Sequence, residues 1–524
     1  MFNGLGHLFR LIGLARLLAR CDALVLAERF GASPGVLAAA RLLARLPGGP
    51  HPRPGTRPGE RIAQALTAAG PTFIKLGQSL ATRADLLGEE IADDLAFLQD
   101  RLAPFPGTAA RAAIEAELGK PVSELFASFD DTPVAAASIA QVHLAVTTEG
   151  EEVAVKVLRP GIEEAFARDL DMLAWVAAAI ERTRPGTRRL KPREVVAILA
   201  RVVEVEMDLR LEAAAACELA GNFKGDTSFR VPRVDWTRTA RRVMTLERIS
   251  GIPMDQRGRL VAAGHDPDAV LKKAATAFFN QVFRDGFFHA DLHPGNMFVG
   301  PDGNLVVVDF GIMGRLDAPT RRYLAEMLLG FLQADYRRVA DVHFEAGYVP
   351  ADQPRDLFMQ ACRAIAEPIL GRPMNEISVA RLLAQLFRVT EQFQMETQPQ
   401  LLLLQKTMMV AEGVGRRLNP NVNMWELARP LIESWVRDNL GPEARITRGA
   451  QNFVSVLERL PGFLTNVDKA VRALAEQGYR LHPDTVRRLL GEDGKGRNGG
   501  RGAVLWVIAG LLALILATLL TGRP

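Results

Sequence analysis

The sequence predicts an α+β protein of two lobes, a small strand-rich lobe followed by a larger helical one, with helical extensions on both sides and an apolar C-terminal helix. Three observations predict it. Two Val-rich runs, SIAQVHLAVT and EEVAVKVLRP, alternate apolar and polar residues and meet at a Thr-Glu-Gly turn, as a β-hairpin does. Long stretches before and after them carry apolar residues at helical spacing, and from about residue 316 to 490 no strand candidate recurs. Residues 503–522, AVLWVIAGLLALILATLLTG, hold no charge. At ~1.5 Å per residue they span ~30 Å, about the hydrocarbon thickness of a bilayer.

In chain order, MFNGLGHLFRLIGLARLLAR is apolar but broken by Arg10, Arg16 and Arg20, and no clean small-residue cleavage site follows. Residues 1–45 therefore read as basic amphipathic helices and not as a signal peptide. Contact with a membrane surface and packing on the domain explain such a helix equally well. Residues 46–58, rich in Pro and Gly, form a linker or extended loop. From 59 to about 100 the pattern is helical, with Pro71 suited to a first helical turn after Gly70. A further helix over about 107–119 ends at Gly119, and 59–130 forms one helical extension. The hairpin follows, then helices over 162–182 and 192–220 and two strand-like runs, VPRVDWT and RRVMTLERI, within a small lobe of residues 131–250. An apolar helix over 267–286 belongs to the larger lobe, 251–440, where NMFV and LVVVDF flank the turn PDGN as a second hairpin. Residues 441–500 form a helical extension and a linker ending in GEDGKGRNGGRG. Lys495, Arg497 and Arg501 precede the apolar segment and only Arg523 follows it. That asymmetry predicts a single span with the lobes on the cytoplasmic side.

Composition narrows the function classes. With 524 residues, 48% hydrophobic and 24% charged, the chain suits an ordinary folded protein of more than one core. A net charge of +4 is too small to point to nucleic acid, and its local, Arg-rich excess suits a membrane surface better. Cys21, Cys217 and Cys362 are far apart and form no C-x-x-C, which fits a reducing compartment, buried thiols and no zinc site.

The chemistry concentrates in residues 289–311, HADLHPGNMFVGPDGNLVVVDFG. Asp291 stands five positions before Asn296, and Asp309 thirteen after it, directly ahead of Phe310 and Gly311. Phosphoryl transfer from ATP needs a carboxylate near the accepting oxygen and oxygen ligands for the bridging metal, and the H-x-D-x-x-x-x-N then D-F-G spacing supplies both. With this spacing, the two-lobed pattern becomes a bilobal protein-kinase-like fold. His289 and His293 invite an imidazole-metal reading, but Asn296 and Asp309 suit hard Mg²⁺ better. Lys156, in VAVK, is placed to neutralise ATP phosphates; an idle strand lysine is disfavoured by its apolar neighbours Val153, Val155 and Val157. Its acidic partner lies among Glu204, Glu206, Asp208 and Glu212, of which Asp208 and Glu212 share a helical face while Glu206 points elsewhere; geometry alone does not choose. TPVAAASIAQV, residues 132–142, stands where a kinase has its Gly-rich phosphate loop. Alanine permits close approach but resists positive φ, so this loop is expected to be stiffer.

These residues together resemble the UbiB family of atypical kinases, bacterial membrane proteins needed for ubiquinone biosynthesis, over roughly residues 60–440. The most specific marks are Lys75-Leu76-Gly77-Gln78, the family's K-x-G-Q signature, the alanine loop, and Glu206-Met207-Asp208, the E-x-D signature. QPQLLLLQKTMMVAEGVGRRL and LIESWVRD also resemble bacterial members. The resemblance implies that Val134, Ala135, Ala136, Ala137, Ser138, Ile139, Ala140, Gln141 and Val142 cover the phosphates of ATP and that Lys156 contacts them. Glu212 would partner Lys156, Asp291 would be the catalytic-base equivalent, and Asn296 and Asp309 would ligate Mg²⁺. Residues Thr245 to Glu247 would read adenine. Lys75, Gln78 and Glu206 would gate the site, the K-x-G-Q helix covering the mouth where a kinase admits a protein substrate. Such a lid argues against broad protein phosphorylation and for ATP hydrolysis or action on a small lipid. The implied partners are membrane lipid, isoprenoid quinone intermediates and ubiquinone-biosynthesis enzymes, at the bacterial inner membrane. One departure is that relatives end in two hydrophobic spans and this chain has room for one.

Two other readings share the Mg-ATP site: a conventional small-molecule or protein phosphotransferase, and a non-catalytic nucleotide-sensing lipid-binding scaffold. All three bind Mg-ATP, so phosphate release, not binding, separates them.

Overall fold

The computed structural model describes residues 3–25, 28, 33–45, 56–81, 89–96, 102–183, 191–368, 385, 388–395, 398–421 and 424–440. All but the last belong to one compact unit, Met1–Asn439. The expected extension over 441–500 and the expected span over 503–522 lie outside the described residues. Among the described residues no helix is long and apolar enough to cross a membrane.

Among the described residues five helices come first: α1 (Asn3–Arg20), α2 (Pro34–Leu43), α3 (Pro58–Ala69), α4 (Pro71–Ala81) and α5 (Glu89–Ala96). Gly70, at φ +114°, parts α3 from α4, and Pro71 opens α4 as expected. Their shared core holds Leu18, Leu37, Ile62, Leu66, Phe73 and Leu95. Helix α1 packs on the domain along one face, as one of its two readings expects. Leu11, Leu14 and Leu18 pack on the core, while Leu8, Phe9 and Ile12 stay exposed.

The small lobe follows. Helices α6 (Gly107–Leu118) and α7 (Val122–Leu125) lead into β1 (Phe126–Phe129), β2 (Ala135–Ala136), β3 (Ala140–Thr147) and β4 (Glu152–Leu158). Gly119 stops α6 in a left-handed conformation, φ +69°. Strand β1 lies inside the stretch assigned from sequence to the helical extension; its four residues, FASF, are too short to show alternation. Helices α8 (Ile162–Thr183), α9 (Pro192–Glu206) and α10 (Leu209–Asn222), then β5 (Phe229–Arg230) and β6 (Val243–Glu247), come next. The sheet runs β1-β3-β4-β6, with β2 on β3, and every pairing is antiparallel. Period-two alternation sorts its faces. Val153, Val155, Val157 and Val243 pack outward on Ile114, Val122 and Leu125, whereas Met244 and Leu246 join the core shared with α9 and α10.

Two sequence expectations fail here for local reasons. The helix expected over 192–220 is two helices, because Asp208 takes φ −124° and ψ 92° and caps α10 by accepting the Arg210 N–H. VPRVDWT is not a strand. It makes one bridge, Val234 to Leu246, and then turns, because the Asp235 carboxylate accepts the Thr237 N–H and caps a 3₁₀ turn over Trp236–Arg238.

The large lobe holds β7 (Ile252–Pro253), α11 (Arg257–Ala262) and α12 (Pro267–Phe279), which continues as a π turn over Asn280–Asp285. Gly286 ends it at φ +65°, where a Cβ would lie 2.5 Å from the Leu316 carbonyl. Strands β8 (Phe287–His289), β9 (Met297–Val299), β10 (Leu305–Val307) and β11 (Met313–Arg315) follow, then α13 (Ala318–Leu332), α14 (Tyr336–Glu345), α15 (Arg355–Ala366), α16 (Pro399–Leu418) and α17 (Met424–Leu440). The expected hairpin around PDGN is β9–β10, within the sheet β5-β10-β9-β7, and β8 pairs with β11.

Candidate active site

Strand β4 puts Lys156 between Val142 of β3 and Met244 of β6. Its neighbours Val155 and Val157 face the outer core, so alternation turns Lys156 toward α10. Lys156 Nζ donates to Glu212 Oε1 at 2.7 Å and to Asp309 Oδ1 at 3.1 Å. Burial works against the ammonium, but the Asp309 and Glu212 carboxylates outweigh it and hold Lys156 above its ordinary range. Burial pushes Glu212 up to about 7; Lys156 pulls it down and the Asp309 charge adds to the rise. Lys156 holds the Asp309 carboxyl well below the usual carboxylate range, against an opposing push from burial. Asp309 has a left-handed backbone, φ +63°, which Asp tolerates better than most residues. Phe310 beside it is buried and meets the His289 ring edge-on, with centroids 5.8 Å apart.

The segment after β8 is held by its own side chains. His289 Nδ1 accepts the Asp291 N–H at 3.1 Å. The proton is therefore assigned to Nε2, which donates to the Val308 carbonyl at 3.1 Å. Burial keeps this ring below its ordinary pKa, although the Val308 carbonyl opposes that shift. With both nitrogens engaged, His289 braces the loop and cannot ligate a metal. Asn296 Nδ2 donates to the Asp291 carbonyl at 3.1 Å, which leaves Oδ1 as the acceptor end of a buried amide. Asp291 keeps a partly open carboxylate, 3.8 Å from His293 Nε2. The donors fit a hard cation: one amide oxygen and one carboxylate kept ionised by a neighbouring lysine. Asn296 and Asp309 would hold Mg²⁺, with the remaining positions left to phosphate and water.

The alanine loop takes a shape its residues allow. Ala135 and Ala136 pair with Val142 and Gln141, and the Ala137 N–H donates to the Ala140 carbonyl at 2.8 Å. No residue from 134 to 142 has positive φ. Val134 and Ala135 are exposed, Ala136, Ala137 and Val142 half-buried, and Ser138, Ile139 and Ala140 buried. Gln141 differs from the rest of the set. It pairs with Val157, on the outer face, and its amide donates to the Phe105 carbonyl and accepts the Phe105 N–H. It therefore braces the loop from the side opposite Lys156.

Helix α4 carries the K-x-G-Q residues. Lys75 is buried and its Nζ lies 3.0 Å from Glu206 Oε2. Its charge helps to depress Asp309, which places it within electrostatic reach of the site. Gln78, three residues on, is half-buried on the same helix. The four acidic candidates are now resolved. Glu212 meets Lys156 and Glu206 meets Lys75, while Asp208 grips Arg210 through both oxygens and Glu204 is exposed. The adenine expectation for Thr245 to Glu247 does not hold for the side chains of Thr245 and Glu247. Thr245 pairs with Val155 on the outer face and its hydroxyl donates to the Arg238 carbonyl, and Glu247 is engaged by Arg230 and the Arg233 N–H.

Several supporting residues leave no local mark in the sequence. Gln281, from the π turn, accepts the His289 N–H at 2.9 Å. The hydroxyl of Thr407 of α16, fully buried, is shared between the Leu403 carbonyl at 2.8 Å and the Ala290 carbonyl, 117 residues away in sequence, at 3.1 Å. Thr72 of α4 donates to Asp169 of α8, which also pairs with Arg10 of α1 at 2.6 Å. Only the fold brings such partners together.

The description "ABC1 atypical kinase-like domain" matches residues 97–343, and "UbiB helical domain" matches residues 362–423, which include Thr407. Relatives named probable protein kinase UbiB occur in Marinobacter nauticus, 43% identical over 82% of this chain and 79% of that protein, and in Xanthomonas axonopodis pv. citri, 43% identical over 82% and 78%. A third, in Aeromonas salmonicida, is 41% identical over 89% of this chain and 85% of its own. A solved structure, the Rv3197–erythromycin complex from Mycobacterium tuberculosis, is 27% identical and covers 68% of this chain and 91% of that one at TM-score 0.48. Identity of this order over four fifths of the length leads to one conclusion: the chain belongs to the UbiB family of atypical kinase-like proteins.

Proposed function

We propose that the protein is a membrane-anchored atypical kinase or ATPase that binds Mg-ATP between its lobes and supports ubiquinone biosynthesis. Family membership and the assembled Lys156–Glu212–Asp309 cluster support this reading, and the cluster carries it. A half-buried lysine that touches two carboxylates, one of them a Mg²⁺-type ligand, is arranged to take up charge on phosphate. Mg²⁺, when bound, would neutralise phosphate charge. Lys156 would bind the phosphates, Glu212 would hold Lys156 in place, and Asp291 would orient a water or acceptor hydroxyl and take its proton. The residues 134–142 would cover the nucleotide, with Gln141 bracing rather than touching it. Lys75, Gln78 and Glu206 would close the substrate mouth, which favours hydrolysis or a small lipid acceptor over protein substrates. The partners would be membrane lipid, isoprenoid quinone intermediates and the enzymes that modify them. The site would be the cytoplasmic face of the bacterial inner membrane, held there by residues 503–522.

The test is phosphate release by the purified full chain, with and without anionic liposomes. Release that needs Asp309 and rises with liposomes supports the proposal; release unchanged by Asp309→Asn ends the enzymatic reading. Quinone intermediates in a deletion strain complemented with wild type or Asp309→Asn then separate catalysis from scaffolding. Truncation after Gly491 is expected to free most of the protein from membranes, and continued tight binding would shift anchoring to α1.

A further inference from the structure

We infer that Arg159 is a positioning residue that clamps the alanine loop and presents the Ser138 and Ile139 amides to phosphate. This rests on the proposed phosphate role of that loop. Three consecutive loop carbonyls converge on residue 159. Arg159 Nη2 donates to the Ala137 carbonyl at 3.3 Å, Nε donates to the Ser138 carbonyl at 3.4 Å, and the Arg159 N–H donates to the Ile139 carbonyl at 2.8 Å. The same guanidinium donates to the Ala103 carbonyl at 3.1 Å and lies over the Phe105 ring, 5.3 Å from its centroid. Phe105 is in turn held at its N–H and carbonyl by the Gln141 amide. Segment 103–105, the loop and the end of β4 are thus stitched together from both sides.

Peptide planarity gives the clamp its chemical sense. Among the described residues there is no cis peptide, and in a trans peptide the carbonyl and the following N–H point opposite ways. Anchoring the Ala137 and Ser138 carbonyls on Arg159 therefore turns the Ser138 and Ile139 N–H groups away from it. Among the described residues neither N–H has a protein acceptor. The Ser138 Oγ is buried and also lacks a protein partner. Arg159 stacks on the outer-face residue Phe105, opposite Lys156, so the freed amides face the Lys156 side. Glycine loops gain such amide arrays through positive φ; alanine cannot do so cheaply, and an external cation that binds the carbonyls serves instead.

The experiment compares Mg-ATP and adenosine binding by the full chain, unaltered and as Arg159→Ala and Arg159→Lys. Arg159→Ala is expected to weaken Mg-ATP about tenfold and adenosine less than about twofold, because only phosphate meets the loop amides. Arg159→Lys keeps the charge but not the fork and is expected to stay weak. Equal losses for both ligands, no loss, or full recovery with lysine would overturn the clamp. Should Arg159→Ala not fold, hydrogen exchange on the unaltered protein decides. The Ser138 and Ile139 amides should exchange quickly without ligand and be protected by Mg-ATP but not by adenosine; protection by both or neither would overturn the inference. An unaltered protein that binds no Mg-ATP refutes the nucleotide reading itself, and this inference with it. That result is distinct from a loss confined to the variants.

Discussion

Among the described residues are two largely buried lysine–glutamate pairs of similar length, Lys156–Glu212 at 2.7 Å and Lys75–Glu206 at 3.0 Å, yet the fold supports them differently. Lys156 sits in the middle of a strand paired on both sides, and Glu212 lies in the first turn of α10, where the helix dipole favours an anion. Lys75 rides on a helix, and Glu206 is the last residue of α9, at the carbonyl end where the dipole disfavours an anion. The first pair also has Asp309 beside it. The contrast teaches that similar ion pairs can be fixed or releasable according to what holds their backbones. Under the proposed function, the pair in the sheet would serve the chemistry and the pair on α4 would serve gating.

The comparison breaks first if the sheet pair has no catalytic weight. Lys156→Met and Asp309→Asn are each expected to cut phosphate release by about a hundredfold or more, the scale seen when a preorganised charge stabiliser is removed. Release within a fewfold of wild type would leave the two pairs equivalent. Next comes the lid. Glu206→Ala is expected to lower stability by about 3 kcal/mol, because it removes the carboxylate that faces a buried ammonium, and still to speed nucleotide exchange. The double variant Lys75→Met with Glu206→Leu should regain much of that stability in guanidinium titration and keep the fast exchange. A folded Glu206→Ala protein with unchanged exchange would end the lid assignment, and so would the same result for Gln78→Ala.

The pH response sharpens the contrast. Burial raises Glu212 to about 7 in the folded state, so between its ordinary value and about 7 the folded chain holds a proton that the unfolded chain has lost. This contribution to stability is full below the unfolded pKa and is lost as pH rises through about 7. Asp309 has the opposite sign: its pKa is depressed, so its contribution is present above the unfolded value and lost as pH falls. Denaturation midpoints from pH 5 to 8 should therefore decline less steeply in Glu212→Gln than in wild type. Identical slopes would remove Glu212 as the titrating group. The smallest expected effect is at Thr407. Thr407→Val should cost about 1 kcal/mol and lower kcat a fewfold with the KM for ATP unchanged, since its hydroxyl is shared between the Leu403 carbonyl of its own helix and the Ala290 carbonyl. A change in KM alone would place α16's influence elsewhere.

Much of this was legible in the chain. The hairpin around Lys156 shows because its alternation is long, eight and seven residues, and Gly119 marks a helix end because it takes a left-handed conformation. The misreadings were short or locally capped. FASF is too brief to alternate visibly, and Asp235 and Asp208 redirect the backbone by accepting nearby N–H groups that a periodicity count does not see. Gln141 shares the motif with the expected nucleotide contacts, but strand alternation turns it to the other face.

By itself the sequence determined the residue types and spacings on which the proposed phosphate chemistry rests: a strand lysine, Asp291, Asn296 and Asp309, and the K-x-G-Q and E-x-D marks. These are properties of short segments, and short segments are where local physics acts. Which carboxylate meets which lysine was decided only by tertiary structure. Four acids along nine residues look alike until the break at Asp208 separates Glu206 from Glu212 and sends them to different partners. Arg159, Gln281, Thr407 and Asp169 likewise gained their roles from contacts that only packing creates.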